Sequence, residues 1–180
     1  MAVATVAPGQ PGFWKFAAEA KATQDSVYFT PGKYVVRIEN WKLFNTRNGR
    51  PTTALETTIL SSDDHEGHPI GSKASWLVML DQDMAGPNLK MAVRDILGVQ
   101  EDGITEEIFG KIILSDVDPA NKGLLSPLAG VIVDVTATNI LTRDNNDFTK
   151  VVFKKRAKDE PVVQLAHRTR SKVAAAPADV

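Results

Sequence analysis

Five runs along the chain alternate apolar and polar residues, and one stretch between the third and fourth repeats its apolar residues at spacings of three and four. A period of two marks a strand with one buried face, and the longer period marks a helix with one apolar stripe. The first run, Lys33 to Phe44, follows the punctuation of Pro31-Gly32. In it Tyr34, Val36 and Ile38 share one face, and Val35, Arg37, Glu39, Trp41 and Leu43 share the other. Apolar residues on both faces suit a long strand that bends and serves both halves of one core. A Gly-bearing turn at 45–50 leads to Thr52 to Leu60, where Thr53, Leu55, Thr57 and Ile59 oppose Thr52, Ala54, Glu56 and Thr58. A polar turn around Asp63 to Pro69 leads to Ser72 to Leu80, with Ala74, Trp76, Val78 and Leu80 opposite Lys73, Ser75, Leu77 and Met79.

The helical stretch is Asn88 to Leu97, with Asn88 as its N-cap, a stripe of Leu89, Ala92, Val93, Ile96 and Leu97, and Gly98 as its stop. Residues 99–128 form an insertion, in which Thr105 to Phe109 predicts a short helix and Ile112 to Leu114 a short strand. Its role as a lid, a dimer contact or ornament is open. Val131 to Leu141 and Phe148 to Lys155 then form a hairpin across 142–147. Val151 and Phe153 take the core face of its second strand, opposite Lys150, Val152, Lys154 and Arg156.

The order strand-strand-strand-helix-strand-strand predicts a mainly β protein: an OB-fold-like, five-stranded, partly open barrel with one plug helix and an insertion before strand 4. Such barrels bind oligonucleotides and oligosaccharides through their sheet face and their 1-2 and 4-5 loops. The domain covers 29–158. Residues 1–28 read as a flexible arm, with an aromatic segment at Phe13 to Phe16 and helix-forming composition at Ala17 to Ala22. Residues 159–180 read as a disordered tail.

Composition narrows the function. The 180 residues are 43% hydrophobic and 24% charged, which suits one soluble domain with tails. No apolar run approaches the roughly 20 residues of a membrane span. The N-terminus lacks the basic region of a secretory signal. Cysteine is absent, which removes disulfides, thiol catalysis and Cys-based zinc sites, and points to the cytoplasm. The net charge of −1 argues against a protein held to nucleic acid by bulk charge, and turns attention to local grooves.

The basic residues do cluster. Arg143, Lys150, Lys154, Lys155, Arg156 and Lys158 occupy the last hairpin, while Lys42, Arg47 and Arg50 surround the 1-2 turn. Arg37 and Lys73 lie on the neighbouring strands. Cations along a groove hold phosphates, and flat apolar side chains stack bases. Trp41 and Phe44 are the exposed stacking candidates. Trp76 is a third, although its partners Ala74, Val78 and Leu80 equally place it in the core. The 63–68 turn, Asp-Asp-His-Glu-Gly-His, carries metal-ligand chemistry, but turns favour such residues and no second cluster completes a site. Asp81/Asp83 and Asp116/Asp118 show spacing alone, not the facing geometry of an acid-base pair. No phosphate loop, dinucleotide fingerprint or nucleophile elbow is present. The sequence therefore predicts a non-enzymatic binding protein without a cofactor.

From about Phe29 to Lys158 the chain resembles the OB-fold single-stranded DNA-binding proteins of bacteriophages. The resemblance rests on the order of several segments. They are Pro31 to Ile38, Thr46 to Arg50, Glu66 to Gly71, Asn88 to Gly98, Leu128 to Val135 and Asn145 to Lys150. It implies coating of single-stranded DNA in phage replication or recombination, without catalysis, as a monomer or dimer in the host cytoplasm. Phage replication or recombination proteins would be its partners. Many such proteins recruit these through an acidic tail with a terminal aromatic; here the last residues are Ala174-Ala175-Ala176-Pro177-Ala178-Asp179-Val180. The alternative is an OB module that binds protein, as a phage accessory factor or an inhibitor of a host enzyme.

Overall fold

The computed structural model describes residues 27–142 and 147–168. Phe13 to Phe16, Ala17 to Ala22, Arg143 and the tail from 169 onward lie outside the described residues. The strands are β1 (Gly32–Asn45), β2 (Pro51–Ser62), β3 (Lys73–Met79), β4 (Leu114–Ser115), β5 (Ile132–Leu141) and β6 (Asp147–Lys155). Helix α1 (Ala85–Leu97) follows β3, and α2 (Glu106–Ile112) precedes β4. Six strands form one sheet in the order β3-β2-β1-β5-β6, with β4 on β1, against the five expected. All pairs are antiparallel except β1–β4. The sheet does not close on itself; β3 and β6 remain its edges.

β1 organises the sheet. Its first half pairs with β2 on one side and β5 on the other, and its second half pairs with β2 and with β4. Two irregularities bend the β1–β2 ladder, at Val35/Val36 and at Ile38/Asn40. At the second, Ile38 faces Thr57 and Asn40 faces Glu56, so Glu39 is an extra residue. A bulge of this kind shifts every later side chain to the opposite face. Trp41, grouped by simple alternation with Arg37 and Glu39, therefore joins Tyr34, Val36 and Ile38 in the core. It is 0% exposed, and its Nε1–H donates to Thr53 Oγ1 at 2.9 Å. The expectation of an exposed Trp41 is corrected by this one residue.

α1 begins three residues before the predicted start. Asn88 N–H donates to Met84 O at 3.0 Å, so Asn88 is already inside the helix and is not its N-cap. Pro87 is tolerated there because first-turn amides lack intrahelical acceptors. Ala92, Val93 and Ile96 are buried, as the stripe predicts. α1 packs against both β6 and β3. Gly98 ends it at φ 65°, and a Cβ there would meet the Lys155 side chain at 2.6 Å. Lys155 instead passes over the helix end, where its Nζ donates to Leu97 O at 2.8 Å.

The insertion is built into the core. Ile104, Ile112 and Leu128 are part of the core. Ile112 closes α2, so the short strand is Leu114–Ser115 alone. Asn40, beside the bulge, accepts through Oδ1 from Ser126 N–H and from Trp41 N–H, both at 2.9 Å.

Residues 156–168, read largely as tail, cross the outer side of the sheet from β6 to β2. Arg156 donates to Pro161 O at 3.0 Å, Leu165 N–H to Ser61 Oγ at 2.9 Å, and Arg168 N–H to Asp63 O at 2.8 Å. This strap lies over the cross-strand row Ser61–Val35–Asp134–Lys154, where it helps to bury Val35 and Ser61.

Candidate nucleic-acid interface

The strap covers the outer face over the first half of β1 and leaves the second half bare. Register identifies the side chains of that half, among which Ala54 and Thr52 are buried, at 3% and 1% exposed. Lys42, Ala54 and Leu77 form one row across β1, β2 and β3; Phe44, Thr52 and Met79 form the next; Arg37, Thr58 and Lys73 lie on the far side of the bulge. Phe44, Leu77 and Met79 are half-buried, each with part of its surface in solvent. Lys42 Nζ stands 5.9 Å from the centre of the Phe44 ring. The face therefore offers flat apolar surface edged with cations. Leu77 and Met79 were not singled out from the sequence, although the alternation that set them beside Lys73 was the signal for them.

The expected cations divide into two groups. Arg37 pairs with Glu39 at 2.8 Å, Lys42 with Glu56 at 2.7 Å, and Arg50 with Asp81 through two hydrogen bonds of 2.7 and 2.9 Å. A hydrogen bond from Thr58, and then the Arg37 guanidinium, hold the Glu39 carboxyl below the usual carboxylate range. Arg50 does the same to Asp81. Exposed pairs of this kind are worth about 0–1 kcal/mol, so a phosphate can replace the carboxylate. Arg47, Lys73, Lys150 and Lys154 are exposed, and no ion pair holds them among the described residues.

Arg156 corrects an expectation. Its side chain is 8% exposed and paired with Asp134 and Glu160, so it anchors the strap and is not free for phosphate. Lys155 is likewise committed to the end of α1. Trp76 lies on the core side, half-buried against Trp41 and Phe153, at ring separations of 6.3 and 5.2 Å. Its ring takes the core side of the two open alternatives. Of the three aromatics, Phe44 alone faces outward.

The two basic groups sit at opposite ends of β1. The 45–50 turn follows Asn45, whereas β5 and β6 run past Gly32 to their hairpin. That hairpin carries Phe148, 49% exposed on the same side as Lys150 and passed over in the sequence.

The 63–68 turn has a structural role. Asp64 accepts from Thr30 Oγ1 at 3.0 Å and from Gly67 N–H at 3.1 Å; His68 is buried, its Nε2 accepting from Thr30 N–H at 3.3 Å. Burial lowers the His68 pKa and raises that of Tyr34, whose hydroxyl donates to Thr30 O at 2.7 Å. These groups fasten the chain before β1 to the turn after β2. Among the described residues, no helix is long and apolar enough to cross a membrane. No protein-family model matches the chain, and no curated protein matches it.

Proposed function

We propose that the protein is an OB-like barrel that binds single-stranded DNA with little sequence preference and without catalysis, in the replication or recombination of a phage genome. The observation that carries this reading is the bare half of the outer sheet face. There Phe44, Leu77 and Met79 supply stacking surface among Lys42, Lys73, Arg37 and Arg47. Bases stack on such surface irrespective of identity, and phosphates need cations spaced along the track. The topology supports the same reading. The longest helix, α1, follows the third long strand, the first strand pairs with two of the other long strands, and the two edge strands meet through side chains.

The test is anisotropy of labelled oligo-dT titrated with the protein at low and high salt. Tight binding that weakens steeply with salt supports the proposal. Binding that is absent at low salt, with the protein folded, defeats it and turns the face over to a protein partner. Trp41 and Trp76 face the core, so an anisotropy signal is preferable to tryptophan quenching.

A further inference from the structure

The strap carries a histidine to a turn that already holds another. His65 stands in the 63–68 turn and His167 near the end of the strap, and their rings lie 5.0 Å apart, tilted by 36°. Both residues are exposed. The chain has three histidines. The third, His68, is 0% exposed and its Nε2 accepts from Thr30 N–H, so it is spent inside the turn. In the linear sequence the turn lacks a second group of ligands to complete a metal site. The fold supplies one more imidazole from the far end of the chain.

Hydrogen bonds fix the backbone on both sides. Leu165 N–H donates to Ser61 Oγ at 2.9 Å and Arg168 N–H to Asp63 O at 2.8 Å, so His167 is held between two anchors. In the turn, Gly67 N–H donates to Asp64 Oδ1 at 3.1 Å and His68 N–H to Asp64 O at 2.9 Å. The His65 ring is oriented as well, with its Nε2 3.1 Å from Leu165 O. A carbonyl only accepts, so Nε2 carries the proton and, in the neutral ring, Nδ1 carries the lone pair. Metal-bound imidazoles have this arrangement: the second nitrogen donates to a backbone carbonyl or carboxylate, which fixes tautomer and ring direction.

The spacing fits one shared ion. A ligating nitrogen stands about 2.0–2.1 Å from zinc and the ring centre about 1.1 Å beyond it, so two rings on a tetrahedral ion have centres about 5 Å apart. Two rings in plain contact reach a similar distance; the proton on His65 Nε2 is what favours a ligand pair. The charges nearby are of both signs. Asp63 and Glu66 lie on the turn, Asp63 bonded to Lys33 N–H at 2.9 Å, and Arg168 follows His167. Among the described residues no third imidazole or carboxylate joins the pair, so water would complete the coordination.

We propose that His65 and His167 together bind one divalent transition ion of the class that prefers imidazole, zinc among them, and that this ion clasps the strap to the 63–68 turn. Imidazole suits zinc, copper and nickel, whereas magnesium and calcium take oxygen ligands. Two protein ligands make the site weaker than the closed four-ligand sites of structural zinc. The ion is therefore taken up and released with its concentration, and attachment of the strap follows it. The clasp does not depend on what the sheet face binds.

Calorimetric titration of the full chain with zinc chloride tests this, with His65→Gln, His167→Gln and the double variant. Both residues are exposed, so the variants keep the fold, which circular dichroism checks. The wild type should take up one zinc per chain with no change in sedimenting mass, and magnesium should give no response. Each single variant should lose this binding as fully as the double variant does, because the two rings act on one ion. In histidine side-chain NMR, zinc should move the His65 and His167 signals, with His65 Nδ1 as the ligand atom and Nε2 still protonated, and leave His68 in place. The proposal would be overturned by no zinc uptake in the wild type, by uptake that survives in either single variant, or by an equal response to magnesium. Zinc that binds only by joining two copies, or a shift confined to His68, would overturn it too.

Discussion

The Trp76 and Phe153 rings meet edge to face with their centres 5.2 Å apart, across the gap between the two edge strands of the sheet. β3 and β6 exchange no backbone ladder, so side chains and α1 hold the curled sheet together at this seam. Phe153 is 2% exposed, and Phe153→Ala should cost about 3–5 kcal/mol. Trp76→Ala should cost less, since that side chain is half-buried. The double variant should reveal a coupling of about 0.5–1.5 kcal/mol in urea unfolding. Strictly additive costs would show that the two rings do not act together.

Arg156 separates an anchoring role from a binding one. Asp134→Ala leaves its guanidinium buried with one partner fewer, and removal of one member of a buried pair costs about 3–5 kcal/mol. Asp134 is partly exposed, so the lower end applies. Arg156→Met should be milder, because it removes the charge along with its need for a partner. It should leave DNA affinity unchanged. A large loss of affinity in Arg156→Met, with stability intact, would return this residue to the binding site.

On the sheet face, Phe44→Ala should weaken oligo-dT binding by about 1–3 kcal/mol, the range for loss of one stacking platform. Arg47→Ala should reduce the slope of log affinity against log salt by about 0.7, the value for one phosphate contact on a single strand. Asp81→Ala should act in the opposite direction, since it releases Arg50 from its bidentate pair. Tighter binding with a steeper salt slope is the expected result. An unchanged slope in Asp81→Ala would mean that Arg50 does not reach the strand.

Acid should loosen the fold through His68. Burial holds its folded pKa below the usual 6.5, against a weaker opposite pull from Asp64. An unfolded imidazole takes up its proton near 6.5. Between the two values the unfolded chain binds more protons, so stability rises with pH across that window. Stability is fully present above about 6.5 and declines as pH falls toward the folded value. His68→Gln should flatten this limb of the melting-temperature profile. An unaltered limb would assign it to other groups.

Much of the architecture was legible in the sequence, because period-two runs and a three-to-four stripe report which faces are buried. The long strands and α1 fall where those patterns lie, and Gly98 ends the helix as expected. The errors share one physical origin: linear alternation carries no information about bulges or about partners distant in sequence. One extra residue at Glu39 reversed the assignment of Trp41. Arg156 looked like a surface cation until Asp134, 22 residues back, enclosed it together with the nearby Glu160. Arg50 looked free because Asp81 is 31 residues away. Arg47, Lys73 and Lys150 are exposed and no ion pair reaches them among the described residues, whereas Phe44 is half-buried and Lys154 lies beside the strap.

The central position of β1 has a consequence for how the molecule breathes. Both of its edges are occupied, by β2 on one side and by β5 and β4 on the other, whereas the outward edges of β3 and β6 face the seam. In deuterated solvent the amides of Tyr34 to Ile38 should be among the last to exchange. The outward amides of β3 and β6, except Ser75, whose N–H donates to Val27 O, should go early, in openings that part the Trp76–Phe153 contact and leave the middle of the sheet whole.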